Sequence, residues 1–116
     1  MEKNELHIPR GTTQTLSVKI YWDDGSVYEP QDGDVVRFGV KLARNLSGYA
    51  ISKTAVYDGD NEEYVISLAP EDTASLGFDR YTYDIGLQTS DGDYYMIIEA
   101  AWFYVDTAIT GKVSES

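Results

Sequence analysis

The chain has no cysteine. Disulfides and thiolate metal sites are therefore excluded. There is one histidine, His7, and there are three prolines in 116 residues. His7 lies between Leu6 and Ile8 near the N-terminus. That is an edge segment, where a lone histidine more often serves structure than catalysis. Neither a Gly-x-Ser-x-Gly elbow nor a phosphate-cradling Gly-x-x-x-x-Gly-Lys loop is present. With no such machinery, an enzyme is not expected. No apolar run approaches the roughly 20 residues that a membrane-spanning helix needs. The opening MEKNELHIPRG has no apolar stretch of the kind a secretory signal requires. Synthesis in the cytoplasm without a signal peptide is the expectation.

Basic residues are scarce too. Nine Lys and Arg face twenty Asp and Glu, for a net charge of -11. Such a surface repels phosphate backbones and anionic lipids, so neither nucleic acid nor membrane is an expected partner. A mimic of nucleic acid would need carboxylates in ordered rows, and here they lie mostly in turns. Their plainer role is solubility and protection against edge-to-edge aggregation.

What the chain does have is aromatic residues, among them ten tyrosines and two tryptophans. Aromatic and β-branched side chains suit a half-buried pleated surface. Asp-Gly recurs at Asp24-Gly25, Asp32-Gly33, Asp58-Gly59 and Asp91-Gly92. These pairs tolerate the positive φ that tight hairpin turns require. Between them, apolar and polar residues alternate with the period of a sheet that buries one face.

In TTQTLSVKIYW, residues Leu16, Val18, Ile20 and Trp22 share a face. A short VYEP segment ends at Pro30, which cannot donate to a ladder. In DVVRFGVKLAR, residues Val36, Phe38, Val40 and Leu42 alternate with polar residues and Gly39. YAISKTAVYD is a strand with a weaker pattern. In EEYVISLA, residues Tyr64, Ile66 and Leu68 share a face, as do Tyr81, Tyr83, Ile85 and Leu87 in RYTYDIGLQT. YYMIIEAAWFYV is apolar on both faces, as in a strand at mid-sheet or one covered by a partner. PEDTASLG breaks the strand rhythm. Pro70 suits a first helical turn, Glu71 and Asp72 favour its positive end, and Gly77 is a suitable stop.

Seven or eight strands at spacings of about 8 to 12 residues predict an all-β fold. The expectation is an antiparallel immunoglobulin-like β-sandwich with one short helical turn at about 70–76, and a small β-barrel is the alternative. One domain spans 1–116, with an ordered core at about 5–109 and a frayed tail at 110–116. PEDTA before a tyrosine strand is not an antibody signature. The residue two beyond Tyr81 is Tyr83, not cysteine. Tyr81 is instead the expected structural corner, pinning the turn before its strand.

Candidate sites are few. Asp58, Asp60 and Glu62 alternate as in a calcium loop. The sixth and twelfth positions of such a loop, Gly and Glu, are here Glu63 and Ala69. These residues are weak calcium candidates in a hairpin turn, and no cofactor is expected. Tyr94 and Tyr95 are adjacent in a strand and point to opposite faces, as do Trp102 and Phe103. Surplus aromatics on a second face suggest a buried contact. Tyr95, Ile97 and Phe103 are the interaction candidates, with a protein favoured over a glycan as partner.

The order of motifs is IPRGTTQTLSVKI, then DGSVYEPQDGDVVRFGVK, then YVISLAPEDTASLGFDRYTYDIGLQTSDGDYYMIIEAAWFYV. Over about residues 8 to 105 it resembles small β-sandwich tail proteins of tailed phages and prophages. The likeness is to the N-terminal domain family of siphophage baseplate upper proteins. The resemblance implies a non-enzymatic virion structural protein, made in a bacterial cytoplasm and placed in a phage tail or baseplate. It implies contacts with other virion proteins and a homo-oligomer, because virion assemblies repeat their subunits symmetrically. A carbohydrate-binding β-sandwich module is the alternative.

Overall fold

A computed structural model describes residues 4–42, 48–77 and 80–107. The tail 110–116 and residues 108–109 of the expected core lie outside the described residues.

Eight strands and one helical turn follow in order: β1 (Leu6–Pro9), β2 (Gln14–Val18), β3 (Val35–Lys41), β4 (Ile51–Thr54), β5 (Val56–Asp58), β6 (Glu63–Leu68), α1 (Pro70–Ala74), β7 (Arg80–Gln88) and β8 (Tyr94–Asp106). They form a five-stranded sheet, ordered β1-β8-β7-β3-β4, and a three-stranded sheet, ordered β2-β6-β5. The fold is all-β with two sheets. One pairing departs from the antiparallel expectation: β1 runs parallel to β8, with Leu6 opposite Phe103 and Ile8 opposite Val105.

One core joins the two sheets. The alternating residues of β3, β6 and β7 supply it as their patterns require: Val36, Phe38 and Val40; Tyr64, Ile66 and Leu68; Tyr81, Tyr83, Ile85 and Leu87. Ala101, Phe103 and Val105 of β8 and Ile8 of β1 complete it. At its centre the rings of Phe38, Tyr83 and Phe103 lie 5.5 to 6.2 Å apart, tilted or edge-on. Such pairs add about 0.5–1.5 kcal/mol each beyond the area they bury.

Two expected strands differ. The TTQTLSVKIYW run keeps regular pairing only to Val18. Beyond it a lone bridge joins Tyr21 to Val27, and Trp22 is 57% exposed instead of facing the core. Leu42, just past the end of β3, is also exposed. The weakly patterned YAISKTAVYD run is two strands. β4 pairs with β3 in the larger sheet, whereas β5 pairs with β6 in the smaller one. The chain changes sheets at Ala55, whose N–H donates to the Val36 carbonyl at 2.8 Å.

α1 makes the return crossing, from β6 to β7. Its entry is fixed by the Asp72 carboxylate, which accepts the Ala69 N–H at 2.7 Å. Asp72 also pairs with Lys53 at 3.1 Å. Thr73 is fully buried, and its hydroxyl accepts the Gly11 N–H at 2.8 Å.

Candidate functional site

β8 is longer than its neighbours' pairing accounts for. β7 pairs with it from Tyr94 to Tyr104, but β1 covers its other side only from Phe103 to Asp106. Among the described residues, no strand pairs with Tyr94–Ala101 on the side away from β7. This edge presents free N–H and C=O groups, the template for adding a strand.

The ladder with β7 slips twice, between Tyr83 and Ile85 and between Ile85 and Gly86, each time with an extra residue on β8. Between the two slips Ile98 stands opposite the inward Ile85, and across both the phase is restored, so Tyr95 and Phe103 lie on the same, core-side face. Beyond them, Ala101, Phe103 and Val105 enter the core. Before them, Tyr94, Tyr95 and Met96 are 57%, 53% and 40% exposed.

Tyr95 stands opposite Leu87, so it shares the core-side face at the end of the sheet. There it lines an open cleft of about 750 Å³ with Tyr21, Trp22, Met96 and Ile97. Buried Ile20, Tyr28 and Leu87 reach the same cleft from the core. The Trp22 ring meets Tyr28 edge-on at 5.2 Å. Asp23, Asp34, Asp91 and Asp93 also line the cleft, against the single cation Lys19. The Tyr28 hydroxyl donates to Asp34 at 2.6 Å, and the Gln31 N–H donates to the same carboxylate oxygen at 2.9 Å. Burial first, then the bond to Asp34, pushes the Tyr28 hydroxyl up to about 12. The other Asp34 oxygen and the Tyr64 hydroxyl are buried with no hydrogen-bond partner among the described residues.

The expected contact residues therefore separate. Tyr95 and Ile97 come together in the cleft. Phe103 does not join them: it shares the face of Tyr95 but stands opposite Tyr81 within the core, where it is fully buried, and its candidacy as an interaction residue is corrected to a core role. Tyr21, Trp22 and Asp34 were not singled out from the sequence. The adjacent aromatics Tyr21-Trp22 carried a signal, since neighbours in a strand cannot both face one core.

Asp58 closes its own turn. One oxygen accepts the Asp60 N–H at 3.0 Å and the other the Asn61 side-chain amide at 2.8 Å. These bonds, that to the Asn61 side chain foremost, hold its carboxyl below the usual range. Glu62 follows at φ 56. Among the described residues no group of three or more histidines or carboxylates is arranged to hold a metal ion, and this includes Asp58, Asp60 and Glu62. Tyr81 is buried in the core. His7 is an edge residue with built-in partners. Its ring stacks on Tyr104 at 4.5 Å, Nε2 meets Glu5 at 3.2 Å, and Nδ1 meets Asp106 at 3.1 Å.

No helix among the described residues is long and apolar enough to cross a membrane. Comparison with known proteins finds no matching family model, no matching curated protein and no matching solved structure.

Proposed function

We propose that the protein is a non-catalytic assembly module of a phage or prophage tail or baseplate, acting through protein–protein contacts made at the cleft and at the free edge of β8. The observation that carries the binding reading is the coincidence of two features. Among the described residues Tyr94–Ala101 is an unpaired edge, and the exposed aromatics Trp22 and Tyr95 stand at its end. A free edge supplies main-chain hydrogen bonds to an added strand, and pockets beside it choose the side chains. Tyrosine and tryptophan are the residues that dominate such contacts.

The charge of the cleft selects the occupant. Four carboxylates against one lysine, on a chain of net charge -11, favour an extended segment bearing Lys or Arg. Two copies of this chain meeting there would repel each other. Homo-oligomers, which symmetric virion assemblies favour, are accordingly assigned to other surfaces. The placement in a tail, and so in the virion, rests on the order of motifs described above. An immunoglobulin-like reading of the two sheets fits the helical turn that passes the chain from one sheet to the other.

Co-purification with the products of the genes next to its own tests the proposal. A tail or baseplate protein is expected to be retained by the wild type and lost with the Trp22→Ser/Tyr95→Ser double variant, with retention falling as salt rises. A protein that stays monomeric at high concentration, from a locus without virion genes, overturns it.

A further inference from the structure

The outer face of the larger sheet, away from the core, carries a second cavity, which borders the free edge of β8 at Met96, Glu99 and Ala100. On this face Gly39 of β3 stands directly opposite Asp84 of β7, and Gly86 of β7 stands opposite Arg37 of β3. Each pair lacks one side chain. On its other flank Asp84 faces the first register slip, where Glu99 and Ala100 loop out of the ladder between Ile98 and Ala101. Bulges of this kind re-aim side chains and recur beside sites. A glycine on one side and a bulge on the other thus clear space around one carboxylate.

Tyr49 walls that space, and a second tyrosine, Tyr94, lies over Gly86 outside its lining. A Cβ on Gly39 would fall 2.7 Å from the Tyr49 ring, and one on Gly86 would collide with the Tyr94 hydroxyl. Each ring therefore lies close over a glycine backbone, yet Tyr49 is 61% and Tyr94 57% exposed. The Lys41 ammonium stands 4.8 Å from the Tyr49 ring centre. The cavity measures about 410 Å³ and is lined by Lys41, Tyr49, Thr82, Asp84, Met96 and Glu99, with Gly39 at its base. That volume falls in the range of about 300–1,000 Å³ typical of small-ligand sites. Asp84 is half-buried, and no hydrogen bond reaches its carboxylate among the described residues. Burial raises its pKa, against the lowering effect of Lys41.

The chemistry narrows the ligand. Asp84 and Glu99 disfavour an anion. Lys41 beside the Tyr49 ring disfavours a cation. A neutral ring with an apolar face and a hydroxylated rim suits both. Its C–H face packs on a tyrosine, while vicinal hydroxyls donate to Asp84 and accept from Lys41 or Thr82. We infer that this outer-face cavity is a binding site for a neutral pyranose unit of a glycan, with Tyr49 as the stacking ring and Asp84 as the hydroxyl acceptor. The site opens on the outer face of the sheet and shares Met96 with the protein-docking cleft.

Saturation-transfer NMR with methyl glucoside, methyl galactoside and N-acetylglucosamine, each at millimolar concentration, tests it. Transfer from aromatic protons to the ring C–H protons of at least one sugar is expected. Asp84→Asn is expected to weaken binding of that sugar at least tenfold, and Tyr49→Ala to abolish the transfer. Trp22→Ser, in the cleft, is expected to leave it unchanged. Far-ultraviolet circular dichroism confirms that each variant is folded. Absence of transfer with all three sugars overturns the inference, as does transfer that survives in both outer-face variants.

Discussion

The Tyr83 hydroxyl donates to the backbone carbonyl of Asn4, 79 positions earlier in the chain. Its ring lies in the core between Phe38 and Phe103, so one side chain ties the segment before β1 to the middle of β7. Burial pushes the hydroxyl up to about 12, and it stays protonated as a donor at any physiological pH. Tyr83→Phe keeps the packing and removes the bond. A loss of about 1 kcal/mol is expected, read as a fall of about 4 °C in the thermal midpoint. Tyr81→Phe is the companion test of the corner role expected from the sequence, with a loss on the order of 1 kcal/mol. An unchanged midpoint in either variant removes the role assigned to that hydroxyl.

Burial separates two aromatic residues that the sequence placed together as contact candidates. Phe103 is fully buried, and Tyr95 is 53% exposed. Phe103→Ala is expected to cost about 3–5 kcal/mol in urea denaturation, the transfer and cavity cost of a core ring. Tyr95→Ala is expected to cost less than about 1 kcal/mol and to act on partner retention instead. Equal losses would contradict the difference in burial between the two rings.

His7 gives the fold a pH dependence. Its hydrogen bond to Glu5, then its bond and charge interaction with Asp106, outweigh desolvation and raise its pKa above 6.5. A histidine whose folded pKa is raised stabilises the fold fully below its unfolded value. That contribution disappears as pH rises through the folded value. A histidine titration followed by NMR should therefore give a pKa above 6.5. The difference in thermal midpoint between wild type and His7→Gln should be larger at pH 5 than at pH 8. A constant difference across that interval would contradict the pairing.

Two turn glycines differ in a way that isolates one cause. Gly25 and Gly33 have nearly the same positive φ, 92 and 91, in a region where side chains are strained. A Cβ on Gly25 would meet nothing within 4 Å, whereas one on Gly33 would lie 2.6 Å from Ser90 Cβ and 3.4 Å from Ser90 Cα. Gly25→Ala should cost about 1 kcal/mol from the backbone alone. Gly33→Ala should cost clearly more, because the turn bearing Ser90 must move as well. Chemical denaturation of both variants decides the matter, and equal costs would remove the contact with Ser90.

Period-2 alternation made the inner face legible wherever a strand stays in one sheet and one phase. Val36, Phe38 and Val40 were readable on that basis, as were the inward residues of β6 and β7. The method loses its grip where phase or sheet changes. YAISKTAVYD looked weakly patterned because its two halves serve different sheets. YYMIIEAAWFYV looked apolar on both sides because the two slips take Ile97 out of register and turn Ile98 inward opposite Ile85, which breaks the alternation locally. Neither event leaves a local mark in residue type. The trench around Asp84 was invisible for a different reason: it depends on which residues stand opposite one another, and pairing across strands is not written in any one segment. Of the three candidate contacts, only Tyr95 and Ile97 meet at one site, because Phe103 stands opposite Tyr81 in the buried core.

The parallel pair of β1 and β8 also sets an order of events in time. His7 and Asp106 are 99 positions apart and yet lie side by side. During synthesis, β1 has no seat until the chain through Asp106 has left the ribosome. Contacts of such long range also slow closure in the free protein, because the loop entropy comes before the reward. A nascent chain stalled before Trp102 would therefore display an orphaned β1, open to chaperone capture or to proteolysis.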